Sequence, residues 1–419
     1  MAFEITKELL ENVASYIENG NDNALSMLFS EMHYADIAEV LDEISFDEAV
    51  YIIKLLDSET TSDILIELDE DVREKIFEQL TAKEIAEEVE ELDSDDAADI
   101  IGELPEERQE AVMSQIEDEE HVKEIEELLT YEENSAGSLM AKELVKVYET
   151  WTVAGCMRRI RVQAKDVTRV HSIYVVDKHD KLVGRLSLKD LIIAKSDQKI
   201  ADIAKSNVDA VNVNEDDEDV AKIMAKYDLE AIPVIDDNDI LLGRITIDDI
   251  VDVLKEEADK DYQMAAGLTQ DVDSDDSIFH LTKARIPWLF LGLIGGVGAF
   301  LIMEGFQDLF SEDAILFFFT PLIAAMAGNV GVQSSAIIVQ GLANDDVKGS
   351  INKRLIKEML LAALNGLILS VFLFLFIWLY NGEAQKALAI SVSLIVVIIV
   401  AGLIGTFIPL FLNKRGIDP

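Results

Sequence analysis

Cysteine is almost absent from this sequence, which contains only Cys156 among its 419 residues. A single cysteine excludes a disulfide within the chain and permits a reducing compartment. Basic residues are also scarce, with 35 Lys and Arg against 82 Asp and Glu. A nucleic-acid partner is therefore not expected, because such a chain repels phosphate. No signal peptide is recognisable, so we expect the first part of the chain to stay where it is made.

The negative charge is confined to the first part of the chain. Residues 1–279 contain 26 basic and 73 acidic residues, which account for the whole net charge of −47. The remaining residues contain nine of each and several long apolar blocks. An acidic soluble part joined to a membrane part is typical of a cytosolic regulator that handles cations.

Four segments are long and apolar enough to cross roughly 30 Å of hydrocarbon, which takes about 20 residues each. They are residues 286–303, 314–342, 355–380 and 387–412. The flanks of these segments alternate in charge, which predicts a cytoplasmic N-terminal part. The loop after the first segment is either simply solvated or concentrates cations at an external mouth. The basic flanking residues are Lys283, Arg285, Lys348, Lys353, Arg354, Lys357, Lys414 and Arg415, and the acidic ones are Glu304, Asp308, Glu312 and Asp313.

The second apolar segment contains a run of polar and small residues at 328–335. Polar groups in hydrocarbon usually face a bundle interior or a wet cavity. Asn329 and Gln333 are four residues apart and share a helix face, and amide and carbonyl oxygens suit a hard cation. We therefore interpret Gly328, Asn329, Gly331 and Gln333 as a pore lining. The alternative is helix packing through small residues.

Residues 1–131 carry aliphatic residues at helical spacing with Asp or Glu between them, and short related pieces recur. This pattern predicts an all-α solenoid of stacked helices. Thr81 followed by Glu84 predicts a capping box. Asp95 and Asp99 share one helix face within a dense acidic run, where they repel one another. A divalent cation would relieve that repulsion; a solvated acidic face is the alternative.

Residues 132–254 contain two similar copies of a strand, turn, strand and helix pattern, 59 residues apart. Each copy holds Gly-Arg followed by Ser or Thr and, three residues later, Asp. This resembles a tandem pair of CBS domains, an α/β regulatory module that often binds adenine nucleotides between its copies. Ser187 with Asp190, and Thr246 with Asp249, are candidates, since a hydroxyl can donate to phosphate and a carboxylate can accept from ribose. Helix capping alone is the alternative.

Residues 255–280 continue from the second copy toward the membrane, and we expect one acidic helix to connect the two parts. Asp249, Asp252 and Glu256 follow helical spacing, as do Glu257 and Asp261. Like charges along one stripe destabilise a helix by a few tenths of a kcal/mol per pair. The helix would therefore differ in position with and without bound cations, unless the stripe is simply solvated.

These parts follow one another in a distinctive order. An acidic helical domain, paired CBS domains, an acidic connecting helix and a helix with Gly-Asn-Val-Gly-Val-Gln together resemble the MgtE family of magnesium channels. Arg285-Ile-Pro-Trp-Leu and the run from Tyr131 to Met140 add to the resemblance, which covers nearly the whole chain. It implies a multidomain membrane protein with a helical solenoid at 1–131, CBS domains at 132–254, a connecting or plug helix at 255–280 and a transmembrane bundle at 281–419.

The resemblance implies a homodimer in the cell (inner) membrane, with a pore on the two-fold axis lined by the second and fifth spanning helices. Mg²⁺ held between cytosolic carboxylates would shut the pore, and ATP at the CBS pair would tune that sensitivity. Asn329 would lie near the pore ion. Lys260 stands where some members have an acid. The implied sensor residues are Asp95, Asp99, Asp249, Asp252, Glu257 and Asp261.

The expected function is thus a Mg²⁺ channel for uptake, gated by internal Mg²⁺. One alternative is a Co²⁺ or Mn²⁺ transporter, although the membrane helices hold no Cys, His or Met cluster that would favour a softer metal. The other is a non-conducting nucleotide or metal sensor. Members carry a fifth helix with a pore aspartate, and we expect this sequence to be a fragment or a truncated gene model that stops before it. A complete chain would instead lack that charged ligand and would not be expected to conduct. An enzyme is not expected, because no nucleophile–base pair or phosphate loop is recognisable.

Overall fold

The computed structural model describes residues 3–164, 167, 169–270, 272, 276–308, 314–343, 351–415 and 417. Glu312, Asp313 and Lys348, named above as flanking charges, lie outside these residues. The chain divides into two compact units, Met1–Asp259 and Lys260–Pro419.

The N-terminal part of the first unit consists of ten short helices joined by brief turns. They are α1 (Lys7–Glu18), α2 (Asp22–Phe29), α3 (Tyr34–Glu43), α4 (Phe46–Ile53), α5 (Ser58–Glu67), α6 (Glu70–Gln79), α7 (Ala82–Val89), α8 (Ser94–Glu103), α9 (Glu106–Met113) and α10 (Glu119–Leu128).

These helices stack with an even repeat. Helices α3, α5, α7 and α9 begin at Tyr34, Ser58, Ala82 and Glu106, a spacing of 24 residues. Contacts join α3 to α5, α5 to α7 and α7 to α9 in one row, and α4 to α6 and α8 to α10 in another. The predicted all-α solenoid is confirmed.

Capping residues start these helices, and apolar residues at helical spacing bury one face. The Thr81 hydroxyl accepts a hydrogen bond from the Glu84 N–H at 3.2 Å, and the Glu84 carboxylate accepts one from the Thr81 N–H at 2.7 Å. The predicted capping box is therefore present. Ile85 and Val89 of the same helix are buried, and burying a side chain of this size contributes about 1.5–3 kcal/mol.

Two arginines satisfy carbonyl groups at helix ends within the solenoid. Arg73 donates to the carbonyl oxygens of Leu65 at 2.9 Å and Ile66 at 3.1 Å, and it pairs with the Glu103 carboxylate on α8. Arg108 on α9 donates in the same way to two carbonyl groups at the end of α6. Because the last carbonyls of a helix have no partner within it, each arginine replaces the missing donors.

The rest of the first unit contains two copies of a small three-stranded sheet with flanking helices. In each sheet the first strand pairs parallel with the second, which pairs antiparallel with the third. The predicted tandem CBS pair is confirmed. The elements are β1 (Val145–Tyr148), α11 (Val153–Gln163), β2 (Ile173–Val176), β3 (Leu182–Leu186) and α12 (Leu188–Ile193), then β4 (Val211–Asn212), α13 (Asp217–Tyr227), β5 (Ala231–Ile235), β6 (Leu241–Thr246) and α14 (Ile247–Ala265).

The two copies meet through the turns between their last two strands. Asp180 and Asp239 occupy equivalent turn positions with φ of 58° and 66°, a left-handed conformation that Asp tolerates better than most residues. The N–H of Leu182 donates to the carbonyl of Asp239 at 2.9 Å, and the N–H of Leu241 donates to that of Asp180 at 3.0 Å. These reciprocal bonds relate the copies by an approximate two-fold.

Helix α14 continues the second copy without a break to Ala265. It therefore runs through residues 254 and 255, the predicted boundary between the CBS domains and the connector. The connector thus shares one helix with the second CBS copy, and the start and end of that helix are joined by continuous backbone hydrogen bonding.

Within the described residues of the second unit, four helices are long and apolar enough to cross a membrane. Helix α18 packs against both α16 and α17. Helix α16 is unbroken through Pro321 and the 328–335 run. The helices are α15 (Ile278–Glu304), α16 (Ala314–Ala343), α17 (Ile351–Asn381) and α18 (Ala384–Asn413).

Replacing Arg73 with Ala should destabilise the solenoid by about 2–4 kcal/mol, because it leaves carbonyl groups and a largely buried Glu103 carboxylate without their donor. Urea unfolding of the full chain in detergent, followed by circular dichroism, measures this loss. Lys75→Ala, an exposed change on the same helix, is the control and should alter stability by less than about 0.5 kcal/mol. Equal midpoints for both variants would contradict the assigned role of Arg73.

Candidate cation and nucleotide sites

Carboxylates from α8 and α14 lie within electrostatic reach of one another. Asp95 and Asp96 stand in the first turn of α8, Asp99 follows one turn later, and Asp249 stands in the first turn of α14. The charge of Asp249 raises the pKa of each of the three α8 carboxyls. The structure therefore brings together three predicted sensor residues, Asp95, Asp99 and Asp249, and we call these four carboxylates the acidic cluster.

Burial is the main reason why these carboxyls resist ionisation. Loss of solvent and then the Asp249 charge raise the pKa of Asp96 to about 8. Loss of solvent, followed by Glu103 and Asp249, raises the pKa of Asp99 to about 7, against the opposing effect of Arg73. Burial also raises the pKa of Asp95 well above its ordinary value. An ionised cluster is thus unstable unless a cation joins it.

Two further carboxylates extend this cluster. Asp93, which opens the dense acidic run of the sequence, stands at the N-cap position of α8, whereas Glu143, which sequence reasoning missed, lies in the segment before β1. Oxygen atoms of Asp93, Asp95 and Glu143 lie within 4.8 Å of one another. Glu143 accepts hydrogen bonds from the N–H of Ser94 at 3.2 Å and from its hydroxyl at 2.9 Å. No motif surrounds Glu143, and only the fold places it here.

Arg244 on β6 partly compensates this charge. Its Nε donates to the Glu143 carbonyl at 2.6 Å, and its guanidinium lies 3.3 Å from the Asp93 carboxylate. The pKa of Asp93 nevertheless rises to about 6, because burial and Glu143 outweigh the arginine. One guanidinium therefore leaves most of the surrounding negative charge uncompensated.

The other predicted sensor residues lie farther along α14. Asp252 faces the solenoid near Glu67. Burial is the main cause that raises the pKa of Glu67, and the charge of Asp252 is the second. Glu256, which was part of the predicted stripe, adds to the raised pKa of Asp99. Glu257 is half-buried in the first unit, and Asp261 is exposed in the second unit.

A cleft of about 320 Å³ lies between the two CBS copies. Ser187 and Asp190 line it, together with Arg185, Lys205 and Tyr227. Two cations suit phosphate, and an aromatic ring with half of its surface exposed suits stacking with a base. Hydrogen bonds from Ser187 hold the pKa of Asp190 below its usual range, so this carboxylate is an acceptor for hydroxyl groups at neutral pH.

The second predicted nucleotide pair has a different environment. Thr246 donates to Asp249 at 2.7 Å, as Ser187 donates to Asp190 at 2.7 Å. Helix capping, the alternative left open by the sequence, is therefore present in both copies. Thr246 is buried, and it is absent from the described residues that line the cleft. Its partner Asp249 belongs to the acidic cluster.

The predicted pore residues of α16 divide between two faces. Gly328, Asn329 and Gln333 are exposed on the unit, whereas Gly331 is half-buried. The Gly331 carbonyl lies against Gly405 of α18 so closely that a side chain there would collide with it. Gly331 therefore packs helices, which was the alternative reading, while the amide face is open.

A carboxylate in the third apolar helix was also missed. Glu358 on α17 accepts a hydrogen bond from the buried Ser334 of α16 at 2.6 Å. Its oxygen also lies beside Gly402 of α18. Three helices thus meet around one carboxylate, which the periodicity of an apolar segment does not signal.

The free energy of unfolding of the first unit should fall as pH rises from about 5 to 8 when divalent ions are absent. Because the folded pKa values of Asp96 and Asp99 exceed the unfolded value of about 3.9, the stabilisation present at low pH is lost on ionisation. The slope is about 1.4 kcal/mol per pH unit for each such carboxyl. Thermal unfolding of the full chain with a chelator, and with millimolar Mg²⁺, measures this loss and its reversal.

Asp99→Asn should flatten this pH profile, because the amide does not ionise. Asp47→Asn, a change at an exposed acid on α4, should leave the profile as it is. Identical profiles for the wild type and Asp99→Asn would show that the cluster carries no such strain.

Three family profiles match the chain in succession. The MgtE intracellular N domain matches residues 32–134. The CBS domain matches residues 136–197 and 200–256. The divalent cation transporter domain of MgtE matches residues 320–419.

Curated relatives agree with this order. The magnesium transporter MgtE of Enterococcus faecalis is 36% identical over 293 residues, which cover 70% of this chain and 64% of the relative. The MgtE proteins of Thermus thermophilus and Bacillus subtilis are 34% and 30% identical, and the match again covers 70% of this chain and 65% of each relative. The matched region thus spans slightly less than two thirds of these relatives.

Two crystal structures share the fold of the soluble part. The soluble part of a magnesium transporter is 31% identical, with a TM-score of 0.54 over 60% of this chain and 99% of that one. The cytosolic domain of the Mg²⁺ channel MgtE, solved in complex with ATP, is 32% identical, with a TM-score of 0.55 over 58% of this chain and 100% of that one. With a matching N domain, CBS pair and membrane domain in the same order, the chain belongs to the MgtE family.

Proposed function

We propose that this protein moves Mg²⁺ across the cell (inner) membrane and that internal Mg²⁺ closes it. The relatives named above are magnesium transporters, and four helices of this chain have the length and composition of membrane spans. The observation that carries the gating proposal is the burial of Asp95, Asp96 and Asp99 opposite Asp249. Carboxylate oxygens are the ligands that Mg²⁺ prefers.

Gating follows from the position of this cluster at the start of α14. When Mg²⁺ occupies it, the charges of α8 and α14 are neutralised and the two helices stay together. When Mg²⁺ leaves, the buried carboxylates regain their repulsion and the start of α14 moves away from α8. The same helix extends to Ala265, so a displacement at one end is carried along the connector toward the membrane unit. Asp252, Glu257 and Asp261 extend the sensor along this helix.

The permeation path that we propose uses the open face of α16. Asn329 and Gln333 offer amide oxygens there, and Gly328 leaves the backbone accessible. Gly331 fixes the helix against α18. A homodimer would bring two such faces to one axis. The N-terminal unit lies in the cytoplasm in this arrangement, because Lys283 and the other basic residues flank the helices on that side.

ATP binding in the CBS cleft would adjust the response to Mg²⁺. Arg185 and Lys205 suit the phosphates, Tyr227 suits the base, and Asp190 suits the ribose hydroxyls. The Ser187–Asp190 pair of the first copy lines this cleft. The Thr246–Asp249 pair of the second copy belongs instead to the surroundings of the acidic cluster. Nucleotide and cation would therefore bind to equivalent corners of one duplicated module.

Combined replacement of Asp95, Asp99, Asp249 and Glu257 by their amides should make Mg²⁺ flux less sensitive to internal Mg²⁺. Neutral amides are much weaker Mg²⁺ ligands than carboxylates, so the half-inhibiting concentration should rise by at least about 5-fold. Mg²⁺ flux into proteoliposomes, reported by an internal fluorescent indicator, measures this change, with Asp47→Asn as the control. Unchanged sensitivity would refute the sensor.

Limited proteolysis of the same proteins separates sensing from conduction. Millimolar Mg²⁺ should protect the wild-type soluble unit and should not protect the amide variant. Protection without flux would leave the sensor in place and favour the membrane-tethered sensor over the transporter. Flux of Co²⁺ or Mn²⁺ in place of Mg²⁺ would favour the other divalent transporter.

Asp190→Asn should weaken ATP binding by about 10-fold, which corresponds to about 1.4 kcal/mol, because the amide is a poorer acceptor for ribose hydroxyls. Isothermal titration of the full chain in detergent measures the affinity. Asp202→Asn, an exposed change outside the cleft, is the control. Equal weakening by Asp249→Asn would place the nucleotide at the second copy and contradict this assignment.

A further inference from the structure

A second group of metal-ligand side chains lies where the solenoid meets the first CBS copy. His121 and Glu124 stand on α10, and Glu143 lies in the segment before β1. One ligand atom of each lies within 4.8 Å of the others. His and Glu three residues apart share a helix face, a spacing used by metal-binding helices. The group therefore combines an imidazole and two carboxylates from separate parts of the chain.

The orientation of the His121 ring is set by a carbonyl outside this group. Nε2 lies 3.3 Å from the carbonyl oxygen of Val89. A carbonyl only accepts, so Nε2 carries the hydrogen and the neutral ring keeps its lone pair on Nδ1. Metal-bound histidines usually donate their other ring N–H in this way, which fixes the ring and makes it a better ligand.

Among the described residues, neither of the two carboxylates has a cationic side chain within ion-pair distance. Glu143 is oriented by the N–H and hydroxyl of Ser94. Glu124 is half-buried, and among the described residues it has neither a hydrogen bond nor an ion pair. The nearby Lys142 is held 2.6 Å from Glu127 instead. Burial and the Glu143 charge raise the pKa of Glu124 to about 7, against the opposing effect of Lys142, as expected where two partly buried anions lie close together.

We propose that His121, Glu124 and Glu143 bind one borderline divalent transition-metal ion, such as Zn²⁺ or Co²⁺. A neutral imidazole and two carboxylates balance a divalent charge. Imidazole suits these metals, whereas Mg²⁺ is bound through oxygen ligands. This site differs chemically from the acidic cluster, which contains only oxygen donors, but Glu143 is shared, because its carboxylate also lies within 4.8 Å of ligand atoms of Asp93 and Asp95.

The bound ion would tie α10 of the solenoid to the segment that leads into β1. Glu143 would then be less available to Asp93 and Asp95, whose pKa values it raises. A transition metal would thereby alter the acidic cluster without occupying it. This coupling rests on the proposed Mg²⁺ sensor, but binding of the transition metal does not.

Titration of the full chain in detergent with Co²⁺, in the presence of millimolar Mg²⁺, tests the site. One equivalent should bind per chain and give the visible absorption of Co²⁺ with a nitrogen ligand. His121→Gln and Glu124→Gln should each weaken this binding by at least about 100-fold, because a ligand is lost outright where even outer-shell changes cost 10–100-fold. His179→Gln and Glu126→Gln, both exposed and outside the group, are the matched controls.

Binding of Co²⁺ that is equal in the wild type, His121→Gln and Glu124→Gln would overturn the proposal. So would binding that is lost in Asp95→Asn but kept in His121→Gln, because the ion would then belong to the acidic cluster. Circular dichroism and thermal unfolding of each variant show whether it is folded, and a second ligand variant keeps the test decisive if one variant is not. These outcomes do not depend on whether Mg²⁺ is transported.

Discussion

The burial of like charges between α8 and α14 is the constraint on which the soluble unit depends. Ile101 of α8 and Ile250 and Val253 of α14 belong to one continuous apolar core, which holds the two helices together. The carboxylates on the same helices oppose that association whenever they are ionised. The two contributions are of similar size in such settings, so the net stability of this contact depends on how many of the carboxyls are ionised. A purely apolar contact would be more stable and would not depend on pH.

The α14 side of this contact belongs to the duplicated CBS module, because α14 directly follows the last strand of the second copy. Both copies place a hydroxyl residue and an aspartate at a helix start with the same hydrogen bond. One pair lines an open cleft beside Arg185 and Lys205. The other, in which Thr246 is buried, lies within electrostatic reach of the α8 carboxylates and of Arg244. The two pairs differ chemically because their neighbours differ, since the same hydrogen bond at the helix start forms in both environments. The same local motif therefore stands beside basic residues in one copy and within reach of acidic residues in the other.

Local patterns predicted the elements well, because periodicity and caps are properties of neighbouring residues. The solenoid, the capping box at Thr81, the CBS repeat and four apolar helices all follow from such patterns. The environment of Asp249 and Thr246 does not, since it depends on α8, about 150 residues earlier in the chain. Glu143 and Glu358 stand in no recognisable motif, and only the packing of distant segments gives them partners. Pairing across the fold is what a single sequence leaves undetermined.

The even period of the solenoid has an evolutionary consequence. Each 24-residue step contacts mainly the steps beside it, so the array behaves as a one-dimensional stack. Insertion or deletion of one whole step would lengthen or shorten the solenoid while leaving both ends intact. Its length can therefore change by discrete increments between lineages without a change in α8 and its carboxylates.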